Sequence, residues 1–130
     1  MKKLGTLIGI LILIGFANAI LFILYISIAK LPGGEVGMMP FAILIESGIS
    51  ALITIIIYLL SKFFKELNLI NSIFVYHLIY FGLLISQGLN LSELYKFKSW
   101  NYDLFIIIIA FLIWGLTYII LKGENANIKS

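Results

Sequence analysis

The sequence predicts an all-α integral membrane protein, an antiparallel bundle of four transmembrane helices with both termini cytoplasmic. Three observations carry this expectation. Of the 130 residues, 62% are hydrophobic and only 12% charged. The apolar residues fall into four separate blocks, each long enough to cross a bilayer. The lysines between the blocks are distributed unequally. A soluble domain is roughly half apolar and a quarter charged, so this short chain could not cover itself with a polar shell. It is expected to form a single membrane domain over 1–130.

Crossing about 30 Å of hydrocarbon takes about 20 mostly apolar residues. The first block, 4–29, carries no charge and is bounded by Lys2, Lys3 and Lys30. Lys2 and Lys3 ahead of an apolar stretch, with Ala17, Asn18 and Ala19 as a small-x-small site, also fit a secretory signal. The apolar run continues from Ile20 to Ala29 and exceeds a signal core, so an uncleaved first helix is expected. The second block, 40–61, holds one carboxylate, Glu46, and Pro40 is expected at its start, where a missing amide costs nothing. The third, 69–89, is the most polar. The fourth, 104–121, is almost purely apolar between Asp103 and Lys122.

Four spans place Lys2, Lys3, Lys62, Lys65, Lys122 and Lys129 on one side and Lys30, Lys96 and Lys98 on the other. Basic residues are retained in the cytoplasm during insertion, which puts both termini in the cytoplasm and the chain in the cytoplasmic (inner) membrane. The outer loops are then 30–39, rich in glycine, and 90–103, and the cytoplasmic tail is 122–130. In the second outer loop Asn90 and Glu93 have capping spacing, and Tyr95, Phe97, Trp100 and Tyr102 suit an interfacial aromatic belt. The link 62–68 is short, making the second and third helices antiparallel neighbours.

On the second helix Glu46, Ser50, Thr54 and Tyr58 recur every four residues and form one stripe, with Ser47 and Ser61 at its margins. On the third, Ser72, Tyr76, Tyr80, Gln87 and Asn90 make a second polar face flanked by His77. Lipid is a poor solvent for such faces, so the two are expected to meet inside the bundle. At 1.5 Å per residue Glu46 lies about 9 Å below the outer start of its helix, within reach of Tyr80, whereas His77 lies nearer the level of Ser50 and Thr54. A relay through Tyr80 or Ser50 is therefore expected rather than a direct Glu46–His77 pair. Gly5 with Gly9, and Gly15 with Ala19, are small-xxx-small pairs that favour close helix approach. Ile107, Phe111, Trp114 and Tyr118 form an aromatic ridge on the fourth helix.

Glu46 is the sole acid inside the four blocks. An ionised carboxylate in hydrocarbon costs several kcal/mol, so a protonated, hydrogen-bonded side chain is the simplest expectation. A proton-exchanging or cation-binding group is the functional one. His77, the single histidine, is expected to be neutral and hydrogen-bonded, since two-histidine haem ligation would need a second chain. With no cysteine, no paired carboxylates, no phosphate loop and no metal-ligand spacing, neither an enzyme nor a cofactor is expected. The basic residues are all lysines and too dispersed for nucleic acid. In size and four-helix plan the chain is similar to small drug exporters that act as dimers around one intramembrane glutamate. Theirs lies in the first helix, where this chain has none, so no residue carries over.

The function expected is therefore that of a non-catalytic accessory or interaction component, of subunit or immunity type. Its partners would be the lipid bilayer and a membrane protein or further copies of itself. The alternative is a small proton- or cation-coupled transporter using Glu46 in an oligomer.

Overall fold

A computed structural model describes residues 2–30, 35–86 and 102–129. Among them every regular element is helical and none is a strand: α1 (Lys2–Ala29), α2 (Glu35–Ser61), α3 (Leu69–Ser86) and α4 (Tyr102–Lys129). All four are long and apolar enough to span a membrane. The expected Asn90–Glu93 cap and the belt residues Tyr95, Phe97 and Trp100 lie outside the described residues, as does Gln87. Tyr102 is the first residue of α4.

Two helix limits differ from the sequence expectation by more than a turn. α2 begins at Glu35, which places Pro40 inside the helix, past its first turn. The first four amides of a helix have no intrahelical acceptor, so a proline so near the start forfeits one backbone bond and leaves the following turns intact. α4 continues to Lys129, so residues 122–129 of the expected tail prolong the helix. That segment has no proline, and its one glycine, Gly123, costs only about 1 kcal/mol in a helix.

The helix ends are closed by local chemistry. Lys30, with φ of 50°, ends α1 in the left-handed conformation that usually closes a helix. α2 tightens at its end, where the amides of Lys62, Phe63 and Phe64 donate to the carbonyls of Leu59, Leu60 and Ser61. The link then folds back, because the Leu67 amide donates to Ser61 Oγ at 3.2 Å. Asn68 caps α3, its Oδ1 accepting the Asn71 amide at 2.7 Å. Phe63 and Phe64 are left 83% and 93% exposed, a pair of apolar rings at the turn between two spans.

Because lipid is as apolar as a protein core, outward and inward faces of these helices differ little in hydrophobicity, and burial in the packed structure shows which face is inside. On α1 the buried residues Leu7, Leu11, Ile14, Asn18 and Phe22 follow steps of four and three. α2 buries Ile43, Ser47, Ser50, Thr54 and Tyr58 at the same steps, and α3 buries Ser72, Tyr76, Tyr80 and Leu84. α1 packs most extensively on α2 and α2 on α3, while α4 packs on α1 and α3. The wholly apolar face of α4 (Ile106, Ile109, Ala110, Ile113) completes the core. The polar buried side chains therefore come from α1, α2 and α3.

Candidate functional site

The inward face of α2 carries hydroxyls and one carboxyl where those of α1 and α4 carry mainly hydrocarbon. Glu46, Ser47, Ser50 and Thr54 are at most 4% exposed, and Tyr58 is buried with them. Two of the hydroxyls are satisfied within α2 itself. Ser50 Oγ donates to the Glu46 carbonyl and Thr54 Oγ1 to the Ser50 carbonyl, each at 2.7 Å. Bonding back one turn is how serine and threonine are accommodated in a helix that water cannot reach. It also leaves both residues with little to offer a neighbouring helix.

Ser47 behaves differently. Its Oγ lies 2.6 Å from Tyr76 Oη, a hydrogen bond that ties α2 to α3. It also faces Gly15 of α1, where an added Cβ would come within 2.5 Å of Ser47 Oγ. Real Cβ atoms do not approach that closely, so glycine is required at this crossing unless Ser47 rotates, and rotation would cost it Tyr76. Asn18 is buried three residues further along α1, its Nδ2 donating to the Ile14 carbonyl at 3.1 Å. Three helices thus meet at Gly15, Ser47 and Tyr76. By spacing alone Ser47 stands only at the margin of the stripe, and nothing there singles it out. The signal that could have found it is the pairing of Gly15 and Asn18, the small and polar positions of an otherwise apolar α1.

The expected relay between Glu46 and His77 is absent among the described residues. Ser50 is engaged with its own backbone, and Tyr80 Oη, though buried, has no hydrogen-bond partner. Tyr80 is within electrostatic range of both Glu46 and Tyr76, and the rings of Tyr76 and Tyr80 stack at 6.0 Å and 4°. The Glu46 carboxyl makes no hydrogen bond with the described residues. His77 faces α4: its ring lies 5.6 Å from Trp114 and 6.5 Å from Phe81. Its Nδ1 contacts the Ile73 carbonyl at 2.9 Å. A carbonyl only accepts, so Nδ1 carries the proton and Nε2 is a buried acceptor without a partner. The Leu67 amide holds the link to Ser61 Oγ, α3 starts at Leu69, and it is Tyr76 rather than Tyr80 that hydrogen-bonds to α2.

Compared with protein-family models, curated proteins and solved structures, the chain matches none.

The remaining expected positions divide. Gly15 and Ala19 are buried, whereas Gly5 and Gly9 lie on the opposite, exposed face of α1, where an added Cβ would meet nothing within 4 Å. Their spacing places them away from Leu7 and Leu11, so they take no part in packing among the described residues. The aromatic ridge of α4 joins α3 through Phe111 on Phe81, at 5.0 Å, and Trp114 on Phe74, at 5.6 Å. No group of three or more metal-ligating side chains occurs among the described residues. What the seam offers chemically, among the described residues, is the buried Glu46 carboxyl, the unpartnered Tyr80 hydroxyl and Asn18 Oδ1, and one free imidazole nitrogen, Nε2 of His77.

Proposed function

We propose that this chain is a non-catalytic component of the cytoplasmic membrane that acts through its surface, as an accessory subunit or an immunity-type protein does. It works as an antiparallel four-helix bundle with both termini in the cytoplasm, an arrangement supported by the lysine distribution and by the short link that returns α3 beside α2. The observation that carries the reading is the closed packing of the polar seam. Ser47 is pressed between Gly15 and Tyr76, and the hydroxyls of Ser50 and Thr54 are consumed by their own helix. Polar groups used in this way specify how α1, α2 and α3 fit together. The outward apolar faces and the loops are then what a membrane-protein partner, or a second copy, would contact.

One feature favours a second reading. Glu46 is buried within electrostatic range of Tyr80, whose hydroxyl has no hydrogen-bond partner, and a buried ionisable group in a membrane is often functional. In that reading the protein is a small proton- or cation-coupled transporter, working as an oligomer.

Glu46→Gln separates the two, because glutamine keeps the shape and hydrogen-bonding ends of a protonated glutamate but cannot release a proton. The contact reading expects unchanged abundance, membrane localisation, growth and solute uptake. Loss of uptake with normal abundance would replace it with the transporter.

A further inference from the structure

The molecule has a cavity of about 440 Å³ at the Tyr58 end of the α2 stripe, at the level where α1 and α3 begin and α2 and α4 leave the apolar span. Its volume lies within the roughly 300–1,000 Å³ range of small-ligand sites. Two kinds of wall face each other there. Lys2, Lys3, Glu66 and Glu124 contribute charge of both signs, while Tyr58 and Leu121, both buried, contribute apolar surface. Lys3 Nζ is 4.0 Å from Glu66 Oε1, and these side chains are 83% and 53% exposed. At that length and exposure the pair is open to exchange for other partners.

The geometry points to a binding site for a zwitterionic phospholipid headgroup, phosphoethanolamine, with the glycerol and the start of the acyl chains against Tyr58 and Leu121. Chemistry and depth both match such a ligand. A phosphate diester is recognised by ammonium donors, here Lys2 and Lys3. A primary ammonium is recognised by carboxylates, here Glu66 and Glu124, to which it can donate hydrogen bonds. Both pairs of groups line one cavity that also has an apolar wall, and the cavity lies at the ends of spans, where headgroups are. A site built only to draw the anionic leaflet surface would need lysine alone. The two carboxylates would oppose it. The link that supplies Glu66 is held by the Leu67 amide on Ser61 Oγ and by the Asn68 cap, so the carboxylate wall has a defined place in the fold. This site is independent of the proposed function and of Glu46.

The test is lipid retention by the full-length protein, purified in mild detergent and equilibrated with equimolar phosphatidylethanolamine, phosphatidylcholine and phosphatidylglycerol. Bound lipid is read by native mass spectrometry. Phosphatidylcholine presents a trimethylated ammonium that cannot donate hydrogen bonds, and phosphatidylglycerol presents no ammonium. Phosphatidylethanolamine is expected to be retained about tenfold over either, the value of one charge-assisted hydrogen bond. The double variant Glu66→Gln/Glu124→Gln is expected to abolish that preference, and Lys2→Gln/Lys3→Gln, which removes the donors to the phosphate that all three lipids share, is expected to lower retention of all three. All four residues are exposed, so the variants are expected to fold, and the comparison of the three lipids on the unaltered chain stands without them. Equal retention of the three lipids overturns the proposal. So does a preference for phosphatidylglycerol, which would mean simple attraction to a basic membrane end, or a phosphatidylethanolamine preference that survives Glu66→Gln/Glu124→Gln.

Discussion

Replacing Gly15 by leucine is expected to push α1 off α2 and to lower the stability of the bundle by about 1–3 kcal/mol, the usual cost of overfilling a packed contact. A Cβ at this position already meets Ser47 Oγ at 2.5 Å, and the rest of a leucine side chain would have to displace α2 itself. Gly15→Ala should cost less. Ser47 can rotate its hydroxyl away, at the loss of the hydrogen bond to Tyr76, and polar contacts between membrane helices average about 0.6 kcal/mol. Gly9→Leu is the control, because nothing lies within 4 Å of that position. Thermal unfolding in one mild detergent measures all three. If Gly15→Leu and Gly9→Leu unfolded alike, the close crossing of α1 and α2 would be wrong.

Tyr76→Ala is expected to have the larger effect, on the order of 3–5 kcal/mol, as for other fully buried aromatic side chains truncated to alanine. Tyr76 is 0% exposed, stacks on Tyr80, meets the His77 ring edge-on at 5.1 Å and donates to or accepts from Ser47. Removing it leaves a void among α1, α2 and α3 as well as an unpaired hydroxyl. Tyr76→Phe removes only the hydrogen bond and should cost about 0.6 kcal/mol. The wide gap between the two variants follows from packing being the main force between helices in lipid, where hydrophobic exclusion of water is absent. Similar losses in Tyr76→Ala and Tyr76→Phe would instead make the hydrogen bond the main link. Circular dichroism during detergent titration gives both values.

The four spans and the inward stripe of α2 are legible in the sequence for the same reason. In a chain this apolar each polar residue is conspicuous, and Glu46, Ser50, Thr54 and Tyr58 fall on one helical face by spacing alone. The level at which α2 meets α3 is not legible. It depends on how the link folds back through Ser61 and Asn68, and a small difference there changes which tyrosine arrives at Ser47. The small-residue pairs of α1 show a different limit. Gly5, Gly9, Gly15 and Ala19 satisfy the same pattern, but only Gly15 and Ala19 share a face with Asn18 and Phe22, and only the packed structure shows that this face is inside. For Pro40 and the segment after Lys122, the sequence offers only residue preferences near helix ends. Those preferences are weak beside the cost of leaving backbone groups unpaired in or near lipid.

These points bear on function together. A seam closed by Ser47, Gly15 and Tyr76 assigns those residues to holding the helices, Ser50 and Thr54 are satisfied by their own helix, and Glu46 is left as the one acid on which a transport role would depend. Whether the protein acts by contact is decided by purifying the tagged chain and its Glu46→Gln variant from native membranes in mild detergent and identifying what accompanies each. Action by contact predicts the same membrane protein in fixed stoichiometry with both chains. A homo-oligomer without a partner, whose proton or cation flux in proteoliposomes is lost in Glu46→Gln, would contradict it.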